Sequence, residues 1–157
     1  MPKRIYIEST IPSYLAARPG RDIIQTARQQ LTHSWWRHFR KDFDLCISEI
    51  VIDEIREGDP TAAEKRLALV EDLPLLDVTD SVRQVAKNIM LSGLLPRKAT
   101  RDAIHIAVAS VHCIDILLTW NCRHIANATI MREIRKIVEK SGYELSTLCT
   151  PEELIGD

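Results

Sequence analysis

The chain has 157 residues, 45% of them hydrophobic and 27% charged, with a formal net charge of −1, so a single globular domain over residues 1–157 is expected. This charge excludes a global basic field for nucleic acid, and no apolar stretch reaches membrane-spanning length. Four scattered cysteines (Cys46, Cys113, Cys122 and Cys149) with no CxxC pair argue against a zinc ribbon or a disulfide framework, and no secretory leader is evident, so a soluble cytoplasmic protein is expected.

Arg4 to Glu8 reads as a short strand, broken at Ser9-Thr10-Ile11-Pro12, where a helix capped by Ser9 or Thr10 begins. Asp22 to Phe39 predicts a long helix with Ile23, Ile24, Ala27, Leu31 and Trp35 at helical spacing; Trp35 and Trp36 are adjacent and cannot both face the centre of a core. Phe43 to Ser48 reads as a second strand, with Ser48 capping a helix from Glu49 to about Glu57 that Gly58 closes. Asp59-Pro60 starts the next helix, which runs to about Asp72. Leu73 to Val78, with Pro74 inside it, predicts a strand away from the centre of its sheet. Thr79-Asp80-Ser81 caps a helix that reaches Ser92-Gly93. A helix beginning near Thr100 follows, then a strand from Ile116 to Trp120 and an amphipathic helix from Ala128 to Lys140. Tyr143 to Leu148 gives a last strand, and Thr150-Pro151-Glu152-Glu153 has capping-box spacing for a short final helix. Cys46, Cys113 and Cys149 lie in or beside apolar runs, which predicts buried free thiols. Five short strands separated by helices predict an α/β fold with a mostly parallel five-stranded sheet and helices on both faces.

In such sheets the sites form beyond the carboxyl ends of the strands. Glu8 and Asn121 each follow a strand at that end, whereas Asp115 lies at the opposite end and is excluded. Two further acids are anomalous on their helices. Asp102 falls between Ile106 and Ala109 on the helical wheel, and Glu54 falls within the arc of Ile50, Val51, Ile52 and Ile55. Each puts a carboxylate on an apolar face, where an unpaired charge is costly. His105 shares the polar sector with Lys98, Arg101 and His112 and reads as a solvated histidine. Converging carboxylates repel one another, and a divalent cation removes that cost; oxygen ligands without a His/Cys cluster favour Mg²⁺ or Mn²⁺ over Zn²⁺.

Taken in order, these motifs resemble the PIN domain, and within it the VapC-type toxin ribonucleases of type II toxin–antitoxin systems. The matching residues are Ile5-Tyr6-Ile7-Glu8-Ser9-Thr10 at the first strand, Glu54 on the helix after Ser48, Asp102-Ala103-Ile104-His105-Ile106-Ala107, and Thr119-Trp120-Asn121. The resemblance spans nearly the whole chain. It implies a three-layer α/β/α fold and a Mg²⁺- or Mn²⁺-dependent endoribonuclease in which Glu8, Glu54 and Asp102 hold the metal. Asn121 would orient the attacking water or a second ion. Thr10, Arg123 and His124 are possible substrate contacts. The resemblance also implies a homodimer and a cognate antitoxin protein, with RNA as substrate and no membrane partner.

The chain departs from the family pattern at two positions. The first acid is usually Asp, and Glu8 is one methylene longer; the fourth position is often Asp, and Asn121 keeps an oxygen but loses a charge. Both support the alternative of a catalytically weak or inactive PIN-like module that binds RNA or protein.

Overall fold

The computed structural model describes residues 1–156. Its centre is a five-stranded, entirely parallel sheet: β1 (Arg4–Ile7), β2 (Asp44–Ser48), β3 (Leu75–Leu76), β4 (Ile116–Leu118) and β5 (Thr147–Cys149), in the order β3-β2-β1-β4-β5. The inner strands read as continuous apolar runs because both sheet faces are covered, and Ile5, Tyr6, Ile7, Leu117 and Leu118 are fully buried. Register is direct, with Ile5 beside both Leu45 and Ile116, and Leu117 beside Leu148. The expected strand around Pro74 shrinks to Leu75–Leu76, just after the proline, and lies at the sheet edge as expected.

Right-handed crossovers account for the layers. From β1 the chain steps to β2 through α1 (Thr10–Ala16) and α2 (Ile23–His38), then to β3 through α3 (Glu49–Ile55) and α4 (Pro60–Val70). Both steps run the same way and stack their helices on one face, where α1 packs against α2 and α4. The chain then returns past β1 through α5 (Asp80–Leu91) and α6 (Thr100–Val111) to β4, and reaches β5 through α7 (Ala128–Lys140). This reversed direction puts α5, α6 and α7 on the other face, with α5 packed on both of its neighbours. The result is a three-layer, PIN-like α/β/α fold. Strand order reverses between β1 and β4, so the carboxyl ends of these two strands flank the topological switch point.

Several local expectations shift. Ile23, Ile24 and Ala27 are exposed; Trp35 is buried as expected, and Gln29 and Thr32 share its buried face. The polar pair is buried because it is satisfied at long range. Gln29 accepts from Gly20 N and donates to Arg18 O, while Thr32 Oγ1 donates to Arg28 O and accepts from Trp120 Nε1 at 2.7 Å. Trp35 is in the core, whereas Trp36 is half-buried beneath the Arg40 guanidinium, 4.2 Å from its ring centroid. Thr150 and Glu153 form the expected capping box, on a 3-10 turn over Pro151–Leu154. The last strand starts four residues later than expected. Gly142 turns with φ of 96°, and Ser146 spends its hydroxyl on Ile114 O.

All four cysteines are free thiols. Burial pushes Cys46 up to about 11 and Cys149 up to about 12, so both are protonated and inert. Cys113 is exposed instead of buried, because it follows α6 in the left-handed region at φ 56°, as a C-terminal helix turn requires. Among the described residues no helix is long and apolar enough to cross a membrane.

Trp120 clamps the exit of β4 onto α2 through its bond to Thr32, with Tyr14 edge-on and the Arg28 guanidinium 5.2 Å above the ring. Trp120→Phe removes that bond and part of the buried ring. It is expected to cost about 2 kcal/mol, which a thermal melt should register as a drop in Tm of roughly 4–8 °C.

Candidate metal centre

The site is built from the ends of β1, β2 and β4 and the start of α6. Glu8 immediately follows β1, and its backbone N–H still donates to Leu118 O, so the side chain leaves from a rigid strand end. Glu8 is only 3% exposed. Its Oε1 accepts from Thr10 N at 3.1 Å, Thr10 Oγ1 at 2.5 Å and Thr119 Oγ1 at 2.7 Å. Each of those hydroxyls accepts in turn from a backbone amide, Trp120 N for Thr10 and Asn121 N for Thr119. The carboxylate is therefore locked between the β1 and β4 exits. Among the described residues its other oxygen, Oε2, accepts from Ser9 Oγ alone, at 3.1 Å.

Glu54 arrives from β2 on α3, a helix of seven residues whose last carbonyls are held from α4: Arg66 donates to Ile55 O and Glu57 O. That cap fixes the short helix and, with it, Glu54. Ser48 occupies the N-cap position of α3, but its hydroxyl makes no cap bond; it pairs with the Tyr6 hydroxyl at 2.6 Å. Ser9, at the head of α1, likewise does not cap. Its Oγ lies 2.7 Å from Glu54 Oε1 as well as 3.1 Å from Glu8 Oε2. One hydroxyl proton cannot serve two carboxylates, so the pair is under-donated.

His105 supplies what is missing. It is fully buried, not solvated as its polar helical sector suggests, because α3 packs against that side of α6. Its Nε2 meets Glu54 Oε1, and its Nδ1 pairs with the Tyr6 hydroxyl at 2.7 Å. Burial alone would raise the Glu54 pKa, but hydrogen bonds from His105 and Ser9 and the charges of His105 and Arg101 outweigh it and hold the carboxyl below its ordinary value. Burial acts to lower the His105 pKa, yet the Glu54 bond and the charges of Glu8, Glu54 and Asp102 raise it on balance. Burial also lifts the Tyr6 phenol well above its usual range, so Tyr6 remains a neutral hydroxyl. Glu8, Glu54 and His105 each offer a ligand atom, and these atoms lie within 4.8 Å of one another.

The other two expected ligands, Asp102 and Asn121, are not in that group and are held by a different histidine, His124. His124 Nδ1 lies 3.0 Å from Asp102 Oδ2, and its backbone N–H donates to Asn121 Oδ1 at 2.9 Å. Asn121 thus closes the turn after β4, and Asp102, at 15% side-chain exposure, is paired with His124. Thr10 is half-buried as part of the Glu8 seat. His124 is also half-buried, and Arg123 is exposed on the same loop. Asp115 accepts from Arg4 N at the far end of the sheet, as expected.

Sequence reasoning did not foresee Tyr6, Ser48, Thr119 or His105 here. For His105 the signal was its position three residues after Asp102, which places both on one side of α6.

No family model and no curated protein matches the chain by sequence. Solved structures match in fold. VapBC2 from Rickettsia felis, bound to a DNA fragment from their promoter, aligns with a TM-score of 0.60 and 13% identity over 94% of this chain and 98% of that one. FitAcB from Neisseria gonorrhoeae aligns with a TM-score of 0.57 and 15% identity, over the same shares of both chains. The likeness is one of fold, and it agrees with the three-layer α/β/α fold that the PIN resemblance implies.

Proposed function

We propose that the chain is a divalent-metal-dependent endoribonuclease and the toxin of a toxin–antitoxin pair. The observation that carries this reading is the meeting of Glu8, just past β1, and Glu54, on α3, around the shared Ser9 hydroxyl at the switch point of a PIN-like sheet. Two carboxylates that share one hydroxyl, Glu8 buried and Glu54 half-buried, are a donor set that fits a hard or borderline cation. Glu8, Glu54 and Asp102 would hold Mg²⁺ or Mn²⁺, and Asn121 would orient the attacking water or a second ion. Once bound, the ion supplies charge neutralisation at the phosphate oxygens and Lewis acidity toward the phosphodiester. The chain itself supplies rigidity. Three donors on Glu8 Oε1 fix that carboxylate, and the Arg66 cap fixes the helix that carries Glu54. Thr10, Arg123 and His124 are the proposed RNA contacts. The likeness in fold to VapBC2 and FitAcB supports a cognate antitoxin, and the PIN resemblance supports a homodimer that works in the cytoplasm.

The test is incubation of the purified chain with single-stranded and structured RNA in Mn²⁺, beside an EDTA control and Asp102→Asn. Cleavage is expected in the wild type, to be abolished by EDTA and to fall at least about 100-fold in Asp102→Asn. Cleavage that survives either control would overturn the reading. One observation favours a second reading, a PIN-like module that binds RNA or protein without cutting: Asn121 Oδ1 and Asp102 Oδ2 are both engaged by His124. A folded wild type that binds RNA but stays inert in saturating Mn²⁺ would establish it.

A further inference from the structure

Building on the metal-dependent reading above, we propose that His105 is itself a metal ligand, so that an imidazole joins Glu8 and Glu54 and the site prefers Mn²⁺ to Mg²⁺. The ligand atoms of the three residues already lie within 4.8 Å of one another. Ligands about 2.1 Å from a common ion are separated by at most about 4.2 Å, so small side-chain movements would close the set. The imidazole is aimed, not merely packed: its Nε2 points at the acidic pair from a fully buried ring.

Its other nitrogen has the support that ligating histidines need. Nδ1 pairs with the Tyr6 hydroxyl, which pairs with Ser48 Oγ, and all three residues are fully buried. Outer partners of this kind fix the ring and its tautomer. Both hydroxyls can donate in either direction. Nδ1 can therefore keep a proton by donating to Tyr6, while metal binding releases to solvent the Nε2 proton that faces Glu54 and leaves the Nε2 lone pair for the ion. A site of oxygens alone suits Mg²⁺, which needs near-octahedral oxygen coordination; a nitrogen ligand shifts preference along the first-row series.

The experiment uses the full chain, stripped with EDTA and loaded with Mn²⁺, and reads nitrogen modulation by pulsed EPR with natural-abundance and ¹⁵N-histidine protein. Mg²⁺ competition is measured alongside. Directly bound nitrogen is expected, with a modulation that changes on ¹⁵N labelling, persists in His124→Ala and disappears in His105→Gln. Mn²⁺ should bind at least about tenfold tighter than Mg²⁺, with the margin reduced in His105→Gln. Bound Mn²⁺ without nitrogen coupling, or coupling lost in His124→Ala, would overturn the ligand assignment and leave the nuclease reading standing. Failure to bind Mn²⁺ would overturn both. Labelled wild type and His124→Ala decide the matter even if His105→Gln does not fold.

Discussion

Glu54→Gln is expected to leave a folded protein whose RNA cleavage in Mn²⁺ falls at least about 100-fold, a loss of about 2.7 kcal/mol of transition-state stabilisation. The substitution keeps the shape of the side chain and an oxygen to accept from Ser9, and removes only the charge that a cation would meet. Stability should change little, because two effects of the charge oppose each other. Glu54 and Glu8 offer oxygens within 4.8 Å, and like charges at that distance repel by about 3.5 kcal/mol at an effective dielectric constant of 20. Against this, a hydrogen bond between His105 and a charged partner contributes about 1.5–3 kcal/mol. The Ser9 bond and the Arg101 charge add to the favourable side, in keeping with a carboxyl held below its ordinary value, so Tm should fall by no more than a few degrees. Initial cleavage rates and thermal melts measured on the same preparations check both statements. A near-wild-type rate would remove Glu54 from the site. A large fall in Tm would mean that the His105 contact outweighs the repulsion.

What could be read from the sequence and what could not divide along a physical line. The strand ends were legible because buried parallel strands are unbroken apolar runs, so the acid after Ile5-Tyr6-Ile7 stands out. Glu54 and Asp102 were legible because a carboxylate on an apolar helical face needs a partner. The partners themselves were not legible. A helical wheel reports that His105 lies away from the apolar arc, but not that α3 covers that side and turns it into a buried contact. The same limit explains α2. Gln29 and Thr32 are buried because of bonds to Arg18, Gly20 and Trp120, and the Trp120 bond spans 88 residues, whereas a local apolar pattern selected Ile23 and Ile24, which lie in solvent. Thr119 belongs with these cases: its hydroxyl reaches Glu8 across 111 positions of sequence.

The departure at Glu8 has a structural account that leads to an effect opposite to charge conservation. Glu8→Asp keeps the charge and restores the residue usual in the family, yet it is expected to be the more damaging change. Shortening the side chain by one methylene withdraws the carboxylate by about 1.5 Å from a seat made by Thr10 N, Thr10 Oγ1 and Thr119 Oγ1. Those donors are held in place by the Trp120 and Asn121 amides and cannot follow it. Leaving buried donors without an acceptor costs about 1–3 kcal/mol, so Tm should fall by roughly 2–12 °C, and cleavage should fall with it. Glu8→Gln keeps the length and leaves an oxygen in the seat, while the charge facing Glu54 is gone. It should melt at or above the wild-type temperature in EDTA and still lose cleavage at least about 100-fold. Melting temperature therefore separates the variants where activity does not. If Glu8→Asp melts as the wild type does, the three-donor seat is not what holds the longer acid in place.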